Sequence, residues 1–134
     1  MRYFVNASSS SKNNASIAIK HTEIVFGTTP ESQDTLANPA ELFLGSFAAC
    51  ILKNVERFST LMKFEYSNAE IRVSATRLEK PPRMDGIKYE LIVYSTDNNL
   101  NMELLKKNIE NFGTIFNTVK SSCTITGAVK KLTV

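Results

Sequence analysis

The sequence predicts an α+β fold in which antiparallel strands gather around one long helix. Segments of period-two alternation cluster before and after a single long helical pattern, Asn38–Lys63, and do not interleave with short helices as parallel βαβ units do. The helical stretch is apolar or small at nearly every position from Leu42 to Leu52, so this half is expected to be buried on all sides. One chain of 134 residues has little left to cover such a surface, which predicts a homodimer. The length suits a single domain, 1–134, and a hydrophobic content of 43% supplies a real core.

Tyr3–Ala7 reads as a short strand and Ser8–Asn14 as a polar turn. Ala15–Lys20 alternates, with Ile17 and Ile19 on one side, and Thr22–Phe26 continues as strand up to Gly27. These three segments make a small antiparallel sheet. Thr28–Ala37 is a loop. The long helix then opens on Asn38 as cap, Pro39 at the first helical position and Glu41 three residues after the cap, a capping box with Asn in place of Ser or Thr. Gly45 and Ser46 lower helix propensity in mid-helix, which predicts close approach by another backbone. Val55, Phe58 and Met62 continue the apolar stripe, with Lys53, Asn54, Glu56 and Arg57 between them.

Past the helix, Ala69–Leu78 places Ile71, Val73 and Ala75 on one face and Glu70, Arg72, Ser74 and Thr76 on the other. Lys80–Gly86 reads as a turn with two prolines and an Asp-Gly, and Ile87–Thr96 as the returning strand of a hairpin. Leu100, Leu104, Leu105, Ile109 and Phe112 mark a second helix that Gly113 stops. Thr114–Lys120 is a short third helix, and Cys123–Val134 the last strand.

Several function classes fall away. A net charge of +3 with no basic run interleaved with aromatics argues against nucleic acid. The continuous apolar run is far shorter than the roughly 20 residues of a membrane span. The first residues lack the apolar core of a secretory signal, so a cytoplasmic location and reduced cysteines are expected. The lone His21 has no Cys, Asp or second His at ligand spacing, so no metal site is predicted. Nucleotide-binding glycine motifs are absent. What remains is thiol chemistry at Cys50, set against the plain alternative that a free cysteine on an apolar helix only fills space.

The segment NPAELFLGSFAAC, Asn38–Cys50, resembles the central-helix motif of the OsmC/Ohr family, with weaker support from FNTV at Phe116–Val119 and from the order of the flanking elements. The resemblance implies an intertwined homodimer with active sites between its subunits, and reduction of organic hydroperoxides without a bound cofactor. An attacking cysteine becomes a sulfenic acid, a second cysteine condenses with it, and an external dithiol resets the pair. Cys50 matches the attacking position. The family's second-cysteine place falls on Gly113, and Cys123 lies ten residues later, so Cys123 is a resolving candidate out of register. Ala40 stands where the family has an acidic residue, and Glu41 fits the looser P-x-E-L form as a cap. Lys12 is nearest in position to the family's early-loop arginine, and Arg57 shares the Cys50 face of the helix two turns on. These departures predict that Cys50 and Cys123 are not an efficient intramolecular redox pair, and that turnover is of the one-cysteine kind with an external thiol attacking the sulfenic acid. Two other readings stand beside it. One is a dimer binding a small apolar ligand against Phe43 and Phe47, and the other is an interaction protein in which both cysteines pack.

Overall fold

A computed structural model describes residues 1–133. The chain forms two compact units, Met1–Phe43 and Leu44–Val134, and the boundary falls inside the long helix.

In the first unit, strands β1 (Asn6–Ser9), β2 (Ala15–Ile19) and β3 (Thr22–Phe26) form an antiparallel sheet in that order. β1 is displaced from the expected Tyr3–Ala7. Its partner fixes the register, with Asn6 opposite Ala18 and Ser9 opposite Ala15, so two serines become strand and Tyr3–Val5 stay outside it. Pairing has overridden propensity here. The turn that follows carries Lys12 at φ 68° and closes through a bond from Asn13 N–H to the Ser10 carbonyl, 3.1 Å. A 3₁₀ turn at Pro30–Ser32 leads to helix α1, Pro39–Leu61. The expected capping box is formed: Glu41 N–H donates to Asn38 Oδ1 at 2.8 Å, and Asn38 N–H donates to Glu41 Oε1 at 3.0 Å.

In the second unit, strands β4 (Asn68–Glu79), β5 (Pro82–Tyr94) and β6 (Ile125–Leu132) form a sheet with β5 in the middle. β4 and β5 are antiparallel, while β5 and β6 are parallel, so this sheet is mixed and not wholly antiparallel as expected. The reason is the crossover: helices α2 (Met102–Phe112) and α3 (Thr114–Lys120) lie between β5 and β6, and a crossover of that length returns the strand in the same direction. The hairpin turn is also tighter than expected. Glu79 pairs with Pro82, so Arg83–Gly86 belongs to β5. Pro82 occupies the first strand position, where its missing N–H is tolerated. The Asp-Gly pair serves as an irregularity in β5, with Gly86 at φ 61° and a register shift between Ser74 and Thr76.

The core of this unit joins Phe47, Ile51, Val55 and Phe58 of α1 to Ile87, Tyr89, Leu91 and Val93 of β5, closed by Leu105 and Ile109 of α2 and by Phe116 and Val119 of α3. The α1 residues follow i, i+4, i+8, i+11, so α1 buries one stripe. The expectation of burial on all sides fails in the single chain: Gly45, Ser46, Ala49 and Leu52 are exposed, and a Cβ on Gly45 would meet nothing within 4 Å. α1 ends in a Schellman motif. Phe64 N–H reaches the Ser59 carbonyl at 2.9 Å and Lys63 N–H the Thr60 carbonyl at 3.3 Å, with Lys63 left-handed at φ 57°. Among the described residues, no helix is long and apolar enough to cross a membrane.

β6 begins at Ile125, two residues later than expected, and Val134, its expected end, lies outside the described residues. Asp85 sets the start. Its Oδ1 accepts from Thr124 N–H at 2.8 Å, from the Thr124 hydroxyl at 3.1 Å and from Gly86 N–H at 2.8 Å. Those bonds hold its carboxyl below the usual carboxylate range, the backbone donors first.

Candidate functional site

Cys50 stands half-buried at the middle of α1, and its sulfur faces the junction of α2 and α3. Several contacts hold that junction in place. Asn101 caps α2 by accepting from Leu104 N–H at 3.1 Å. Near the far end of α2, the buried Tyr89 hydroxyl donates to Glu110 Oε2 at 2.6 Å, and Lys106 Nζ lies 3.2 Å from the same oxygen. Burial, and then the Glu110 carboxylate, pushes the Tyr89 phenol far up, so it stays a donor. Phe116 of α3 stacks on Phe47 of α1 at 5.6 Å between ring centroids and meets the Tyr89 ring edge-on at 6.5 Å. Phe47 is therefore core, while Phe43 is exposed.

Gly113 sits between the two helices. It ends α2, as the sequence predicts, though not in the left-handed conformation of a glycine stop: its φ is −80° and its ψ 119°, open to any residue. Space is what favours glycine. A Cβ there would lie 3.0 Å from the Ile109 carbonyl oxygen, 3.0 Å from Phe116 Cβ and 3.2 Å from Cys50 Sγ. The position that the resemblance assigned to a second cysteine therefore does adjoin Cys50, and here it carries no side chain.

Cys123 is placed elsewhere. Both cysteines are free. Cys123 follows α3 in a turn, with its N–H on the Val119 carbonyl at 3.0 Å and its thiol directed at the Met84 carbonyl, 3.5 Å away. Gly113 precedes α3 and Cys123 follows it, so roughly 10 Å of helix separates them. Cys123 lines a groove of about 530 Å³ with Glu110, Asn117 and Lys120, and Cys50 is not part of that lining.

Two of the other candidates have structural partners. Glu41 is engaged in the cap. The Arg57 guanidinium stands over the Phe58 ring, 5.4 Å from its centroid. Lys12 lies exposed in the β1–β2 turn. Among the described residues, no cluster of His, Cys, Asp or Glu is arranged to hold a metal ion. The residue that sequence reasoning passed over is Asn54. It is 8% exposed, and its Nδ2 lies 3.0 Å from the Cys50 carbonyl oxygen and 3.7 Å from Cys50 Sγ. The available signal was an amide four residues after a cysteine, beside the apolar stripe.

A family model described as OsmC-like protein matches residues 32–127, a span that includes Cys50, Gly113 and Cys123. The chain belongs to the OsmC family. No curated protein matches this OsmC-family chain in sequence. Solved structures share its fold. An OsmC-like protein from Mycoplasma pneumoniae is 15% identical over 98% of both chains, with a TM-score of 0.82. An organic hydroperoxide resistance protein from Elizabethkingia anophelis, with thiocyanate bound, is 12% identical over 100% of this chain and 99% of its own, with a TM-score of 0.71. A Vibrio cholerae protein described as an organic hydroperoxide resistance protein, with captopril in one of its active sites, is 17% identical over 96% of this chain and 92% of its own, with a TM-score of 0.68.

Proposed function

We propose that this OsmC-family protein is a homodimeric thiol peroxidase that reduces organic hydroperoxides through Cys50 alone. The carrying observation is the half-buried Cys50, its sulfur set 3.2 Å from the place where a Gly113 side chain would begin, with Cys123 beyond the far end of α3. Family membership and the hydroperoxide resistance proteins that share the fold support the reaction class. Exposed apolar side chains on α1, Leu52 and Leu61, support the dimer.

The Cys50 thiolate attacks the outer oxygen of the hydroperoxide, and the O–O bond breaks. The alkoxide leaves and takes a proton to become the alcohol. Cys50 becomes a sulfenic acid, oxidised by two electrons. One thiol of an external dithiol displaces the sulfenic oxygen as water and forms a mixed disulfide. The second thiol of the same molecule attacks that disulfide, closes its own ring and frees Cys50. Cumene hydroperoxide consumption in dithiothreitol tests this. Wild type and Cys123→Ser should turn over, and Cys50→Ser should not. Equal consumption by wild type and Cys50→Ser overturns the proposal.

A further inference from the structure

We infer that Asn54 is a catalytic residue, whose side-chain amide donates a hydrogen bond to the Cys50 sulfur and favours its thiolate. This rests on the peroxidase reading for its role in turnover, though not for the contact itself. Asn54 lies one helical turn after Cys50 and is 8% exposed, next to Ile51, Val55 and Phe58 in the core. A buried amide is costly unless it is bonded. The Asn54 bond runs to Cys50 twice: Nδ2 is 3.0 Å from the Cys50 carbonyl oxygen and 3.7 Å from its Sγ. The carbonyl only accepts, so the NH₂ end of the amide must face Cys50, and its second hydrogen is available to the sulfur.

Sulfur is a weak acceptor as a thiol and a strong one as a thiolate, because a hydrogen bond to an ionised group is roughly twice as strong. The contact therefore favours the charged form, which is the nucleophile. Of the two cations on α1, Arg57 is directed at Phe58 and Lys53 is exposed. An amide supplies its dipole without a charge of its own to desolvate. The Asn54 amide and Gly113 both adjoin the sulfur of this half-buried cysteine.

The test uses the full-length protein in a Cys123→Ser background, where Cys50 is the only thiol. Alkylation by iodoacetamide is followed against pH for Asn54, Asn54→Leu and Asn54→Asp, with circular dichroism as the folding control. Leu keeps the volume and removes the donor; Asp keeps the shape and puts a carboxylate in its place. The midpoint of the alkylation profile should move to higher pH in the Leu variant and further in the Asp variant, so that less Cys50 reacts at any fixed pH below the midpoint. If the Leu variant does not fold, Asn54→Ala removes the same donor. Profiles in folded variants that superimpose on the parent overturn the inference. The peroxidase reading fails separately: if cumene hydroperoxide leaves Cys50 of the parent unoxidised while the variant profiles still move, Asn54 acts on the thiol and the reaction was misassigned.

Discussion

At the scale of single residues, Gly113 controls what Cys50 is able to do. A cysteine there would begin 3.2 Å from Cys50 Sγ, close to the ~3 Å between a Cβ and the far sulfur that an S–S bond of about 2.04 Å implies. Gly113→Cys should therefore convert the chain to a two-cysteine type. After one equivalent of hydroperoxide, non-reducing peptide mapping should show a bond between Cys50 and the introduced cysteine, whereas the wild type shows sulfenic acid or mixed disulfide at Cys50 and free Cys123. A dominant Cys50–Cys123 disulfide in the wild type would contradict the placement of Cys123. The same geometry carries a stability cost. Gly113→Ala sets a methyl group 3.0 Å from both the Ile109 carbonyl and Phe116 Cβ, and overpacking of this kind costs about 1–3 kcal/mol, measurable by urea denaturation.

At the scale of elements, the placement of β6 governs the second unit. β6 crosses over the Tyr89 ring, and Gly127 is the residue that passes it: a Cβ there would fall 1.9 Å from the ring. The two residues are register partners on β6 and β5. Gly127→Ala should be the more damaging of the two glycine changes, because it pushes on a fully buried ring whose hydroxyl is tied to Glu110. The loss should reach or exceed ~3 kcal/mol in denaturant. The start of β6 carries a pH signature. Asp85 has a folded pKa lowered from 3.8 by its bonds to Thr124 and Gly86. A lowered carboxyl contributes stability above its unfolded value and loses that contribution as pH falls through the folded one. Asp85→Ala should lower Tm at neutral pH, and its Tm should fall less than the wild type's on acidification below about pH 4. An equal acid loss in both proteins would remove Asp85 from this role.

At the scale of the whole molecule, the prediction concerns association. Leu52 and Leu61 lie exposed along α1, at 36% and 61%, and Gly45 has open space where its side chain would be. Within one chain, Gly45→Leu should be tolerated. In the proposed homodimer it should overpack the contact and weaken association by ~1–3 kcal/mol. Sedimentation at micromolar protein distinguishes these outcomes. A monodisperse wild-type monomer would refute the dimer, and an undiminished dimer in the variant would place the contact away from Gly45.

The sequence by itself determined the elements whose signals are local. α1 was legible from Asn38, Pro39 and Glu41, because a cap satisfies backbone groups within one turn of itself, and the bonds between Asn38 and Glu41 are formed. β5 was legible from Ile87, Tyr89, Leu91 and Val93, because alternation records which face is buried. Cys50 was legible as a candidate from the motif around it. Tertiary structure decided what depends on contacts across the chain. The strand bounds of β1 came from its pairing with β2, and the parallel sense of β6 from the crossover through α2 and α3. The crowding at position 113 came from Ile109, Phe116 and the distant Cys50, not from its own backbone angles. Asn54 read as one more polar residue on the wet side of a helix until its amide was found buried against Cys50. A local pattern records which groups a residue must satisfy nearby, and packing alone selects which distant groups come to share its space.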